Sequence, residues 1–207
     1  MSKTVALVKI SLTQFFNFAT KPPEQQLTVV RTIRKQHEDG YSVPPDCYKQ
    51  FREAVVRLHR TGKTKEFLDQ LVKRQTEPTR MKHYPDLARG YKKFMGRKIL
   101  DWFEPPTGIW VCEDLQIKIR PEVCLVIDGT PTAIKLWLNN DDSLNKRRAE
   151  IITHMMATAL PSTEDGLTTA VLDVRKGKLY RQGKSDKEQT ALLRSQSKSF
   201  VSLYREL

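Results

Sequence analysis

The sequence predicts a mixed α+β protein: an N-terminal helical part followed by a small three- to four-stranded mixed sheet flanked by helices. Three observations predict it. Apolar residues recur at helical spacing through the first hundred positions, while Ile, Val and Trp concentrate in three short runs after residue 100. Turn residues such as Asp128-Gly129 separate those runs. With 207 residues, 39% of them apolar, the chain is long enough to bury a core, in one large domain or two small ones.

In PPEQQLTVVRTIRKQHEDG the side chains Leu27, Val30 and Ile33 share one helical face, Pro22 and Pro23 suit the start, and Gly40 suits the stop. In VPPDCYKQFREAVVRLHRTG the face is Tyr48, Phe51, Val55 and Leu58, with Asp46 as N-cap and Gly62 as the end. TKEFLDQLVKR gives a shorter helix buried through Phe67, Leu68 and Leu71. YPDLARGYKKFMGRKIL gives another, with Leu87, Tyr91 and Phe94 inward. TGIWVCED, LQIKIRPEVCLVIDG and TPTAIKLWLN then predict three strands of an antiparallel meander. A helix follows in SLNKRRAEIITHMMATALP, where Ser143 is placed to cap the start, Ile151, Met155 and Leu160 face inward, and Pro161 closes the end. TTAVLDVRKGKLYRQG returns as strand or hairpin, and a last helix runs from about residue 187 to 206. The expected division is a basic helical region, 1–83, and an α/β domain, 84–207.

The charge is unevenly placed. Residues 1–100 carry 21 Lys and Arg against 9 Asp and Glu, whereas residues 101–207 carry 15 of each, so the whole formal excess of +12 lies in the first half. Such an excess implies a polyanionic partner, nucleic acid first, although a run of cations also fits a solvated helix face. The most basic surface is the helix carrying Arg89, Lys92, Lys93, Arg97 and Lys98. Lys146, Arg147 and Arg148 form a second cluster at a helix start, where a phosphate is favoured, or where Asp141 and Asp142 balance the run.

Other classes are disfavoured. No apolar run reaches the length of a membrane span, and MSKTVALVKISL is too short and too soon charged for a signal peptide, so the expectation is a cytoplasmic protein without a membrane partner. Cys47, Cys112 and Cys124 are odd in number and lack a CxxC pair, which favours buried free thiols. His37, His59, His83 and His154 lack metal-ligand spacing, and nine scattered glycines form no phosphate loop.

One stretch carries chemistry. In IRPEVCLVIDGTPTAIKLWLN, Pro121-Glu122 stands on one expected strand and Lys135 thirteen positions later on the next. With the order of elements from Tyr84 to about residue 182, this resembles the αβββαβ core of the PD-(D/E)xK, or restriction-endonuclease-like, nuclease superfamily. The resemblance implies a magnesium ion held by two acids beside a scissile phosphate, and a lysine that orients water and offsets developing charge. It places Glu122 as the first acid and Lys135 as the lysine. The second acid is missing: two positions before Lys135 stands Ala133, whose methyl cannot bind a cation. Strand alternation puts Ala133, Lys135 and Trp137 on one face, and Asp128 and Glu150 are the candidate substitutes. Glu122 and Lys135 fit a plain cross-strand ion pair equally well, with Asp128 the other partner open to Lys135, and Trp137 fits the core.

The leading expectation is therefore a nucleic-acid-binding protein, DNA ahead of RNA, with a nuclease-like core that lacks a complete metal site and grips backbone phosphates without a cofactor. One alternative is an active magnesium-dependent nuclease using Glu122, Lys135 and a displaced Glu150 or Asp128. The other is a protein-contact subunit of a larger DNA-processing, repair or defence complex, through aromatics such as Trp102, Phe103 and Trp110.

Overall fold

The computed structural model describes residues 7–38, 46–139, 144–161, 166–183 and 187–207. Its elements run β1 (Val8–Ser11), α1 (Leu12–Thr20), α2 (Pro23–Glu38), α3 (Lys49–Arg60), α4 (Glu66–Lys73), α5 (Pro78–Met95), β2 (Leu100–Trp102), β3 (Gly108–Cys112), β4 (Leu115–Ile119), β5 (Val123–Ile127), β6 (Thr130–Trp137), α6 (Lys146–Ala159), β7 (Thr168–Asp173), β8 (Lys178–Arg181) and α7 (Lys187–Glu206). The class is mixed α+β, with two mixed sheets flanked by helices.

The larger sheet has the order β2-β5-β6-β7-β8. β5 and β6 form a hairpin whose two turn residues, Asp128 (φ +48°) and Gly129 (φ +87°), both take left-handed backbone, the geometry that follows the twist of the strands. β6 pairs parallel with β7, and the crossover between them contains α6. The smaller sheet has the order β1-β4-β3, with β1 parallel to β4.

The run LQIKIRPEVCLVIDG, expected as one strand, is two strands in different sheets. Pro121 offers no N–H to continue a ladder, so β4 ends before it and β5 starts after it on another partner. β1, α1 and β2 are additions to the sequence reading. α1 carried a readable signal: Ser11 caps it through a hydrogen bond from Gln14 N–H at 3.2 Å, and the Gln14 amide oxygen accepts from Ser11 N–H at 2.8 Å. α6 is capped by Asn145, whose side chain accepts from Arg148 N–H at 2.9 Å; Ser143 and Gly40, the expected cap and stop, lie outside the described residues.

Period-two alternation sets the larger sheet between two cores. Cys124, Ala133, Trp137 and Val171 face a core shared with α1, α2, α6, α7 and the small sheet. Val123, Leu125, Ile134, Leu136 and Leu172 face one shared with α3, α4 and α5. The expected boundary between residues 83 and 84 falls inside α5. Nor do residues 1–83 stand apart, since Phe16 of α1 packs edge-on against Trp137 of β6 with ring centroids 5.0 Å apart. Trp102, Phe103 and Trp110 are half-buried against these cores rather than displayed; Ile99, Ile109 and Val111 are the exposed apolar side chains of that region. Cys124 is buried, Cys47 and Cys112 are half-buried, and all three are free thiols. Among the described residues no helix is long and apolar enough to cross a membrane.

Candidate functional site

Glu122 and Lys135 meet across the start of the hairpin, one step beyond the Val123–Ile134 pair. The Lys135 ammonium donates to Glu122 Oε1, and Leu136 N–H donates to Glu122 Oε2 at 2.9 Å, so both carboxylate oxygens are engaged within the protein. Glu122 N–H also donates to the Ile134 carbonyl at 3.1 Å, which ties the acid's backbone to the strand that carries its partner. The pair lines a cleft of about 100 Å³ together with Leu12, Thr13 and Phe16 of α1, Tyr48 just before α3 and Arg52 of α3. Arg52 is itself ion-paired to Asp46, and Arg175 donates to the Tyr48 hydroxyl at 3.4 Å and the Leu138 carbonyl at 3.1 Å. Sequence reasoning missed Tyr48 and Arg52 as neighbours of this pair, because only the packing of α3 brings them there.

Neither candidate substitute acid reaches Glu122. Asp128 sits at the hairpin tip, roughly 20 Å along the strand at about 3.3 Å per residue, and its carboxylate accepts from Ile99 N–H at 3.0 Å, fixing the turn. Glu150 lines a different groove and lies 3.8 Å from the Lys146 ammonium. Ala133 is fully buried in the core with α1 and α6. Glu122 is thus the only carboxylate among the described residues lining its cleft, and among them no group of three or more His, Cys, Asp or Glu gathers at one point.

No protein-family model matches this chain, and no curated protein matches it.

Several of the basic residues are already engaged. On α5, Lys92 pairs with Asp69 at 2.6 Å and Arg89 pairs with Asp86, and just past its end Lys98 folds back to the Phe94 carbonyl with its ammonium 5.2 Å from the Phe94 ring centroid. Lys93 and Arg97 are exposed. At the start of α6, Lys146 and Arg147 are exposed and Arg148 is half-buried, and all three line a groove of about 890 Å³ between α6 and α7. Asp141 and Asp142, expected to balance them, lie outside the described residues.

The histidines serve packing and surface roles. His59 meets the buried Tyr91 hydroxyl at 2.8 Å, and burial pushes its pKa down to about 4. His154 meets Thr190 Oγ1 at 3.2 Å, and burial lowers its pKa too. His37 contacts the Tyr204 hydroxyl at 2.7 Å, and His83 lies beside the Tyr48 ring.

Proposed function

We propose that the protein binds nucleic acid without cutting it, DNA ahead of RNA, by gripping backbone phosphates from a nuclease-like core whose acid–lysine pair is closed on itself. The observation that carries this reading is the basic first turn of α6: Lys146, Arg147 and Arg148 line the groove between α6 and α7. Lys93 on α5 and Arg97 just past its end extend the cationic surface. The order α5, then β2, β5 and β6 of the larger sheet, α6 and a parallel β7 supports the likeness to the PD-(D/E)xK core. The closed Glu122–Lys135 pair supports binding over cleavage, because an acid already holding an ammonium and an N–H has little left to offer a cation. We place this activity in the cytoplasm.

Binding by counterion release weakens steeply with salt, by about 0.9 in log–log slope per phosphate contacted. Fluorescence anisotropy across a salt series tests it. The Lys146→Glu, Arg147→Glu, Arg148→Glu triple variant should lower the slope by about 2 to 3 and affinity by more than tenfold, with an unchanged melting temperature. Retention equal to wild type would overturn the reading. So would strand breaks in magnesium that vanish in Lys135→Ala.

A second reading, a subunit of a DNA-processing or defence complex, is favoured by Ile109 and Val111, 56% and 57% exposed on an edge strand. Solution mass measured with and without the co-purifying proteins of the native host tests it, and a chain that stays monomeric and alone counts against it.

A further inference from the structure

We infer that the α6–α7 groove accepts a single unpaired nucleotide, its phosphate held at Lys146–Arg148 and its base inside, so that single-stranded nucleic acid is the preferred partner. This rests on the proposed binding function and names the form of nucleic acid it takes. The groove's volume, about 890 Å³, lies within the range of roughly 300–1,000 Å³ typical of sites that enclose small organic ligands. Its interior is not that of a simple phosphate cradle. Ile151 of α6 and Leu192 and Leu193 of α7 supply an apolar strip, and Leu192 is 52% exposed, a large aliphatic side chain left open inside a polar groove. A base face is flat and apolar and suits such a strip, whereas a phosphate does not.

The polar groups match a base edge. Gln182 of the segment after β8 accepts from Thr169 Oγ1 at 3.2 Å, and Gln196 of α7 accepts from the Gln26 amide at 3.4 Å. Each glutamine amide carries an acceptor oxygen and two N–H donors, the complement of the carbonyl oxygens, ring nitrogens and amino groups of a base edge. Gln189 adds a third amide. The cations gather at the start of α6, where Arg147 is exposed and Lys146, also exposed, lies 3.8 Å from Glu150. A phosphate is drawn to these cations and a base face to the apolar strip, so the ligand is oriented with its phosphate at the start of α6 and its base against Ile151 and Leu192. A duplex keeps its bases stacked and paired and cannot offer an edge to a groove of this kind without extruding one.

The test compares (dT)15 with a 15-base-pair duplex by anisotropy at fixed salt, for wild type and for the uncharged Gln182→Leu, Gln189→Leu double variant, with melting temperature as the fold control. Wild type should bind (dT)15 at least tenfold tighter than the duplex, and the double variant should lose most of that preference while its duplex affinity stays unchanged. A second variant, Leu192→Asp, sets a carboxylate in the apolar strip at an exposed position and should weaken (dT)15 more than duplex. Equal affinity for the two nucleic acids, or a preference untouched by both variants, overturns the inference while leaving the binding function standing. No binding to either overturns both.

Discussion

Glu122 and Lys135 are each 17% exposed, so each charge sits largely out of water with the other as its chief compensation. Removing one member leaves the other buried and unpaired, which costs about 2–4 kcal/mol, whereas replacing both with uncharged groups of similar size costs less. Lys135→Ala should therefore lower unfolding free energy in urea by about 2–4 kcal/mol, and the Glu122→Gln, Lys135→Met double variant should recover a good part of that loss. Additive single losses would show that the two charges are uncoupled. The sequence made both residues and the vacancy at Ala133 legible, because strand alternation alone assigns their faces. It left open whether Lys135 turns to Glu122 or to Asp128. Register decided that: Val123 opposite Ile134 sets Glu122 against Lys135 and sends Asp128 to the turn.

At the scale of elements, α5 lies so close to the β7–β8 connection that a Cβ on Gly90 would stand 2.0 Å from the Val174 carbonyl oxygen and 2.5 Å from that of Arg175. Backbone cannot yield as a side chain does. Gly90→Ala should cost more than about 3 kcal/mol or prevent folding, measured by thermal melting of the purified variant. Gly129→Ala meets no atom within 4 Å and pays only for its left-handed backbone, about 1–2 kcal/mol. If the two variants melt alike, close approach is not what α5 depends on. The long helices were readable because an apolar stripe of three or more turns is a strong local signal, as in α5 with Leu87, Tyr91 and Phe94 buried. β1 and β2 were not. Strands of four and three residues carry too few side chains for a period, and they exist through β4 and β5, their partners in the ladder.

Across the whole molecule, buried histidines couple stability to pH. His59 titrates at about 4 when folded and near 6.5 when unfolded, so between those values the unfolded chain binds more protons. Its contribution is complete above pH 6.5 and is lost as pH falls toward 4, an effect on the order of 3 kcal/mol. His154, also lowered by burial, acts in the same direction. Urea midpoints should fall between pH 7 and pH 4.5, and His59→Gln should flatten that fall. A wild-type midpoint constant over this interval would contradict the coupling. At the same scale, the charge asymmetry legible in the sequence pointed to α5 as the chief cationic surface, yet Asp69, Asp86 and the Phe94 carbonyl take up three of its five cations. The cations that line a groove are at the start of α6, in the half whose formal charge is balanced.

By itself the sequence determined the class of fold, most helices, the Asp128-Gly129 turn, the presence of an acid and a lysine on one hairpin, and the lack of a second acid two positions before that lysine. These are local properties, set by periods of 3.6 and 2 and by residues whose backbone freedom or side-chain chemistry is known in advance. Tertiary structure alone decided where the chain changes sheet at Pro121, that α1 and α2 share a core with α6 and α7, and that Glu150 lines a groove apart from Glu122. Each of these depends on residues tens of positions apart arriving at one place, and the packing of whole faces selects that meeting, which no window of sequence contains.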